Sequence, residues 1–550
     1  MGMLFLQDAN LLELYLLVLL TLVSFQCTES DSRLFQNLNP LEQLIPFQCP
    51  FSFRVYVYDL PPNIPPVRLA EEARVNKSFH VCQRCIYEQF SLELIVYDYF
   101  SQFCGRTLDP DEADYFYLPI ARDVEYREQM TKGRKRASQM DHVLIAAIEK
   151  RDLKPWRDYL NITAKYWERN NGADHIIVMP APVTNLRHES SQRGFFHYMI
   201  QLNSPIFVNV EFSRAFVSEY PVCATEKNIV MPYPSTDPDM ISGRLMNEPV
   251  TITRNKLLFY QGGNHGSCVD IRRGLDILMK DKTIAPTAGA KKREMGFRQA
   301  VYCPIPVGDS PSSKRQYDVM NFGCIPVVLS DEMLYAFTHI TGGGVNEGNF
   351  SIRLPQKFVQ KPAHVLLNEI KPHDIGQLPS GTTLYSLLES VVDDAKAKNV
   401  TIKPPWALVE LLLRISPEDV VQLQRGVSKV ARKFRYYALN ASVSEIPTSK
   451  KAFPDGGAMR ILSRLLDLRK EKGVMDTHRR CTLEREQQNP PHKYIGNYPC
   501  ERTKKWDRRK LVYYKHSSFN DSHEESIRIH ADDNNRQGRG LFLTSEAWQF

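Results

Sequence analysis

Arg315 and Asp318 stand three residues apart, close enough to share one face of a helix. A guanidinium suits phosphate oxygens and a carboxylate suits ribose hydroxyls, so the two together would fit a nucleoside diphosphate. The residues before them point the same way. Val307-Gly308-Asp309-Ser310-Pro311-Ser312-Ser313-Lys314 is a small-residue stretch in which Pro306, Gly308 and Pro311 stop a strand and force a turn. Ser312 or Ser313 can cap the helix that follows, and free N–H groups at these serines would add to the helix dipole in favouring an anion. Spacing alone allows a plainer reading, a capped surface helix with a local Arg–Asp pair.

These residues need elements to hold them. The apolar run Gln299 to Ile305 leads into the loop, Gln316 to Phe322 forms the helix, Gly323 ends it, and Ile325 to Leu329 is a buried type of strand. Upstream, Lys256 to Tyr260 reads as a strand, Gln261 to Ser267 as a loop at its end, and Arg272 and Arg273 fall on the next helix. Ligands in doubly wound sheets sit at the carboxyl ends of strands, so this loop and the Gly308 loop are expected at one edge, with Arg272 in reach of a diphosphate. Nearer the amino end, Arg54 to Tyr58, Ala113 to Ile120 and His175 to Met179 read as strands. Glu88 to Phe103 and Gln139 to Leu160 read as helices, and so does Leu408 to Tyr437 farther on. Strand alternating with helix predicts an α/β protein with parallel sheets.

The chain has 550 residues, 43% hydrophobic and 24% charged, with a net charge of +7. That is globular composition with enough length for two or three domains, and the mild positive excess fits an acidic small ligand. Leu14 to Phe25 is almost wholly apolar and is expected to be a signal anchor or a signal peptide. The absence of a small-residue cleavage site after it favours the anchor. Either outcome places the body in the secretory lumen. Sequons at Asn76, Asn161, Asn349, Asn399, Asn440 and Asn520 are candidate glycosylation sites. Cys82 and Cys85 look like half a zinc site, but no second pair with metal spacing follows, so the cysteines are expected in disulfides. Cys303, placed near the exit of its strand, and Cys324, at the entrance of the next, are expected too far apart to join. Cys481 and Cys500 are expected to staple the C-terminal tail to itself.

Tyr302-Cys303-Pro304-Ile305-Pro306-Val307-Gly308-Asp309-Ser310-Pro311-Ser312-Ser313-Lys314-Arg315, followed by Gly323-Cys324-Ile325-Pro326-Val327, closely resembles the signature of the exostosin-like glycosyltransferases (exostosin GT47 domain). Phe53 to Pro61, Asp111 to Pro119, Ala173-Asp174-His175 and Lys256 to Gly262 agree in order, so the resemblance runs from about Phe53 to Tyr437. It implies a GT-B fold, two Rossmann-like domains facing a central cleft, with inversion at the sugar carbon and a nucleotide-sugar donor. It also implies a type II Golgi membrane protein with a lumenal body. The expected division is 1–48 anchor or signal peptide and stem, 49–240 acceptor-side domain, 250–440 donor domain, and 441–550 a tail outside the resemblance. Three places depart from the family pattern. Val307 replaces a common arginine, Asp318 stands where glutamate is usual, and Ala181-Pro182 follow where an acidic residue often sits.

The implied reaction transfers a sugar from a UDP-sugar to a hydroxyl of a glycan or glycoprotein acceptor. Gly308, Asp309, Ser310, Ser312, Ser313, Arg315, Asp318 and Arg272 are the expected donor contacts. No Asp-x-Asp triplet falls in a suitable loop, so Arg315 and the loop are expected to stabilise the leaving diphosphate without an essential metal or other cofactor. Asp59, His175 and His188 are candidate bases on the acceptor side, and His265 on the donor side. A non-catalytic, glycan-binding subunit of the same fold is the alternative, and a partner glycosyltransferase subunit is compatible with either. A phosphate-loop nucleotidase is disfavoured, because Gly-Lys-Ser/Thr is missing from the loop.

Overall fold

In the computed structural model of the chain, residues 49–58, 92–119, 164–179, 205–211, 214–219, 221–234, 254–263, 268–286, 293–308, 310–340, 342–436 and 456–487 are described. Leu14 to Phe25, Gln139 to Leu160, Asp59, His188, His265 and Asp309 lie outside them, as do Ala181, Pro182 and the sequons at Asn76, Asn161, Asn440 and Asn520. Among the described residues no helix is long and apolar enough to cross a membrane.

The described strands form two sheets, each wholly parallel, as the strand–helix alternation predicts. The first has the order β2-β1-β3-β4-β5-β6. Its strands are β1 (Val55–Val57), β2 (Arg106–Thr107), β3 (Tyr115–Leu118), β4 (His175–Met179), β5 (Ile206–Asn209) and β6 (Asn228–Val230). The second has the order β10-β9-β8-β7, built from β7 (Lys256–Leu258), β8 (Ala300–Pro306), β9 (Ile325–Leu329) and β10 (Ile352–Arg353). Every residue of β3, β5, β8 and β9 is buried, which is why these runs read as unbroken apolar stretches instead of alternating ones.

Local signals account for the helices that matter to the site. α7 (Arg315–Asn321) follows the Gly308 loop and stops at Gly323, whose φ of 70° favours glycine. The Arg254 side chain donates to the Phe322 carbonyl there, and a Cβ on Gly323 would lie 2.7 Å from its Nη2. α11 (Pro417–Lys433) has Ser416 accepting from the Asp419 N–H at its start, proline at N1, acidic residues in its first turn and Arg432 and Lys433 in its last.

Two expectations about cysteine are corrected. Cys303 and Cys324 do form a disulfide, with Cα atoms 5.9 Å apart. β8 begins at Ala300, so Cys303 is mid-strand and not at the exit, and the register pairs Tyr302 with Ile325, the residue after Cys324. Cys481 does not staple the tail to itself, because it bonds Cys223 of the first sheet's surroundings, 258 residues away. The region after residue 456 packs back on that sheet. From α12 (Gly457–Lys472), Ser463 Oγ meets the Tyr99 hydroxyl at 2.6 Å and the Leu466 carbonyl accepts from the Tyr115 hydroxyl at 2.7 Å. From α13 (Val474–Gln487), the Glu484 carboxylate accepts from the Val222 and Cys223 N–H groups, 2.9 and 2.8 Å away, at the start of the helix Pro221–Lys227. A carboxylate there complements the helix dipole.

Candidate functional site

Because β7, β8 and β9 are parallel neighbours, the segments at their carboxyl ends share one edge: Gln261–Gly263 after β7, the Gly308 loop after β8, and Ser330 after β9. Two arginines converge on this edge. Arg315, half-buried at the start of α7, donates from Nη2 to the Gln261 carbonyl at 2.7 Å, and its guanidinium carbon lies 4.8 Å from the centre of the Tyr260 ring. Arg272 lies on α5 (Val269–Leu278) and is buried. It donates from Nη1 to the Gly263 carbonyl at 2.9 Å, and from Nε and Nη2 to the Val307 carbonyl at 3.3 Å. Burial pulls the Arg315 guanidinium below its ordinary pKa. Tyr260 opposes that shift, while the positive charges of Arg272 and Arg293 add to it. The edge is therefore a concentration of like charge to which an anion would be attracted.

Gly262 permits this. A Cβ on it would lie 2.4 Å from the Tyr260 hydroxyl and 2.7 Å from Arg315 Nη2. A side chain here would displace the ends of Tyr260 and Arg315 from where they lie.

The Gly308 loop behaves otherwise than its sequence suggests. The Ser312 N–H, expected to be free for a phosphate, donates to Glu211 Oε2 at 2.9 Å, and the hydroxyls of Ser310 and Ser312 donate to the same oxygen. The Ser313 N–H donates to Gln316 Oε1 at 3.1 Å. Gly308 N–H donates to the Ser310 carbonyl at 2.9 Å, and the Ser330 hydroxyl donates to the Pro311 carbonyl at 2.7 Å. The amides of Ser312 and Ser313 therefore shape the loop and are not directed at a ligand. The outer positions Gly308, Ser313 and Arg315 keep partial exposure, while Ser310 and Ser312 are buried.

Asp318 is also corrected. It is buried, and its carboxylate forms an ion pair with Lys314, one turn earlier, instead of standing free beside Arg315 for a ribose. Arg315 turns away from it toward Gln261.

On the first sheet His175 has the place expected in sequence but not the setting. It opens β4, at the amino end of the strand and not the carboxyl end where ligands gather, and it is 0% exposed. Its Nδ1 meets Asp174 Oδ1 at 2.7 Å and its Nε2 meets the Tyr58 hydroxyl at 2.8 Å, between the rings of Phe116 and Trp167. Burial holds the imidazole below its ordinary pKa against the pull of the Asp174 carboxylate. Burial alone would raise Asp174, but its bonds from His175, Asn170 and Arg169 hold it below the usual range. A neutral imidazole then donates from Nδ1 to Asp174 and accepts the Tyr58 O–H at Nε2. Both nitrogens are engaged and the ring is buried, so neither is directed at a ligand.

Sequence reasoning missed Glu211, Tyr260 and Gln261. Tyr260 and Gln261 were legible only as a strand end and the start of a loop. Glu211 carried a faint signal, a lone carboxylate directly after the run Ile206 to Val210, which is apolar except for Asn209. That places an acid at the end of a buried strand without saying what it faces.

The exostosin GT47 domain model matches residues 50–370. The chain belongs to the exostosin GT47 domain family. The exostosin match takes in every strand of both sheets and stops short of α12 and α13. Among curated relatives, "Probable glucuronosyltransferase 47 A" of Physcomitrium patens is 26% identical over 294 residues, 52% of this chain and 59% of the relative. "Probable glucuronosyltransferase GUT1" of Oryza sativa subsp. japonica is 24% identical over 301 residues, 52% of this chain and 64% of the relative. "Probable beta-1,4-xylosyltransferase IRX10L" of Arabidopsis thaliana is 25% identical over 294 residues, 52% and 64% of the two chains. The chain thus spans about three fifths of the length of these relatives.

Proposed function

We propose that this chain is an inverting glycosyltransferase that moves a sugar from a UDP-sugar to a hydroxyl of a glycan acceptor. The observation that carries the reading is the convergence of Arg315 and Arg272 on the Gln261–Gly263 turn. Two cations held by backbone carbonyls at the carboxyl edge of a parallel sheet suit a diphosphate. In the reaction the bond between the anomeric carbon and the phosphate oxygen breaks as the acceptor oxygen attacks from the opposite face. The acceptor proton passes to a base of the acceptor side, and UDP leaves with the bond's electron pair. Fixed positive charge facing the leaving oxygen lowers that barrier without reorganisation.

The two parallel sheets serve this reading as the two lobes of a GT-B enzyme, the first sheet on the acceptor side and the second on the donor side. Lumenal placement behind an N-terminal anchor, in the Golgi, and glycosylation at sites such as the exposed Asn349 and Asn399 belong to the same proposal. The relatives' printed names make UDP-glucuronate and UDP-xylose the first donors to try. The test is calorimetric titration of UDP and of these two sugars into the purified lumenal body, with EDTA present. Binding is expected to persist in EDTA, because Arg315 and Arg272 carry the charge. No binding of any UDP ligand, with or without Mn²⁺, would remove the donor-site reading; binding only with Mn²⁺ would overturn its independence of metal.

A further inference from the structure

Glu211 lies two residues beyond β5 and belongs to the first sheet, yet its bonds lie in the loop of the second. It is 2% exposed. One oxygen, Oε2, accepts the Ser312 N–H at 2.9 Å and the hydroxyls of Ser310 and Ser312. Tyr233, three residues after β6 and also on the first-sheet side, meets Ser312 Oγ at 3.0 Å. The Ser312 proton points at Glu211, so the Tyr233 hydroxyl must be the donor to Ser312 Oγ. Burial and the charge of Glu211 hold Tyr233 well above its ordinary pKa, so it keeps the proton this chain requires. A directed relay runs Tyr233 O–H to Ser312 O–H to Glu211.

We infer that Glu211 is a positioning residue for the donor site: from the first sheet it grips the Gly308 loop on its buried side and so sets Arg315, three residues after Ser312, against the Gln261–Gly263 turn. The inference rests on the donor-site reading above. A buried carboxylate that accepts from an N–H and two hydroxyls is worth more than a surface contact, and removing it leaves the Ser312 N–H unsatisfied. The loop then relaxes and Arg315 loses its fixed origin. The grip also ties the donor loop to the other sheet, so movement between the sheets would be felt at the donor.

The test uses the full lumenal body of wild type, Glu211→Gln, Glu211→Ala, Arg315→Ala and the double variant, with UDP as the probe. Amide hydrogen exchange of the 308–315 segment, without ligand, reads the grip itself. Glu211→Ala is expected to speed exchange there and nowhere distant, and to weaken UDP binding roughly tenfold. Glu211→Gln, which keeps the shape and a carbonyl acceptor for Ser312 N–H, should restore most of both. Because Glu211 acts through Arg315, adding Glu211→Ala to Arg315→Ala should weaken UDP little further, a non-additivity that a general loss of stability would not produce. Unchanged exchange in Glu211→Ala overturns the grip. Faster exchange with wild-type UDP affinity, or full additivity, overturns the positioning role. A wild-type protein that ignores UDP overturns the donor-site reading and the role built on it, and that arm reports the failure separately from the exchange data.

Discussion

The guanidinium of Arg315 lies against the backbone of Gly262, where a Cβ would stand 2.7 Å from Nη2. A glycine 53 positions earlier in the chain therefore makes room for the residue on which the proposed donor site depends. Arg315→Ala should weaken UDP binding roughly tenfold or more, the value of a charge-assisted hydrogen bond to phosphate. Gly262→Ala should produce much of that loss with Arg315 still present, by pushing its side chain off the turn. Calorimetric titration of UDP into both folded variants checks this, and wild-type affinity in Gly262→Ala would show that the approach is incidental.

Asp318 is expected to act on stability before ligand binding. Its carboxylate is paired with Lys314 in a largely buried setting. Asp318→Asn should cost up to about 3 kcal/mol of unfolding free energy by leaving Lys314 without its anion. Its effect on UDP affinity should be smaller than that of Arg315→Ala. Urea denaturation alongside the titration separates the two. Unchanged stability with a large loss of UDP affinity would return Asp318 to the ribose.

Cys481→Ser should remove about 2–5 kcal/mol of stability, since the bond to Cys223 closes a long stretch of chain. The loss should appear as earlier release of α12 and α13 from the first sheet, read by limited proteolysis near residue 456. A wild-type proteolysis pattern in the variant would mean that Glu484 and the α12 contacts hold this region without the disulfide.

His175 gives a pH signature of definite sign. Its ordinary pKa is 6.5, and burial lowers it in the folded protein. The unfolded chain therefore takes up the proton first as pH falls. Stability owes nothing to this group above about pH 6.5 and declines as pH drops from there through the lower, folded value. Urea midpoints measured across that window should fall more steeply for wild type than for His175→Gln, which cannot titrate. Equal slopes would show that the imidazole is not held neutral.

Where a segment's state is a local matter, the residues themselves determined it. His175–Met179 and Ile325–Leu329 are the strands their unbroken apolar runs predict, because strands buried on both faces of a parallel sheet carry their signature in consecutive residues. Turn formers likewise put the Gly308 loop between β8 and α7, and parallel order brought that loop to one edge with the Gln261–Gly263 turn. Asp318 meets Lys314 through the local i,i+4 spacing of a helix, but the other polar partners were decided by tertiary structure. Arg315 turns to Gln261, Glu211 to Ser312 and Cys303 to Cys324. Most of these partners come from distant parts of the chain, and their meeting depends on strand order and register. The register that sets the start of β9 beside Tyr302, midway along β8, is what brings Cys303 to Cys324, and the sequence reading had no sign of it. No local pattern records such offsets, since hydrogen-bonding groups are satisfied by whatever the assembled sheets bring within about 3 Å.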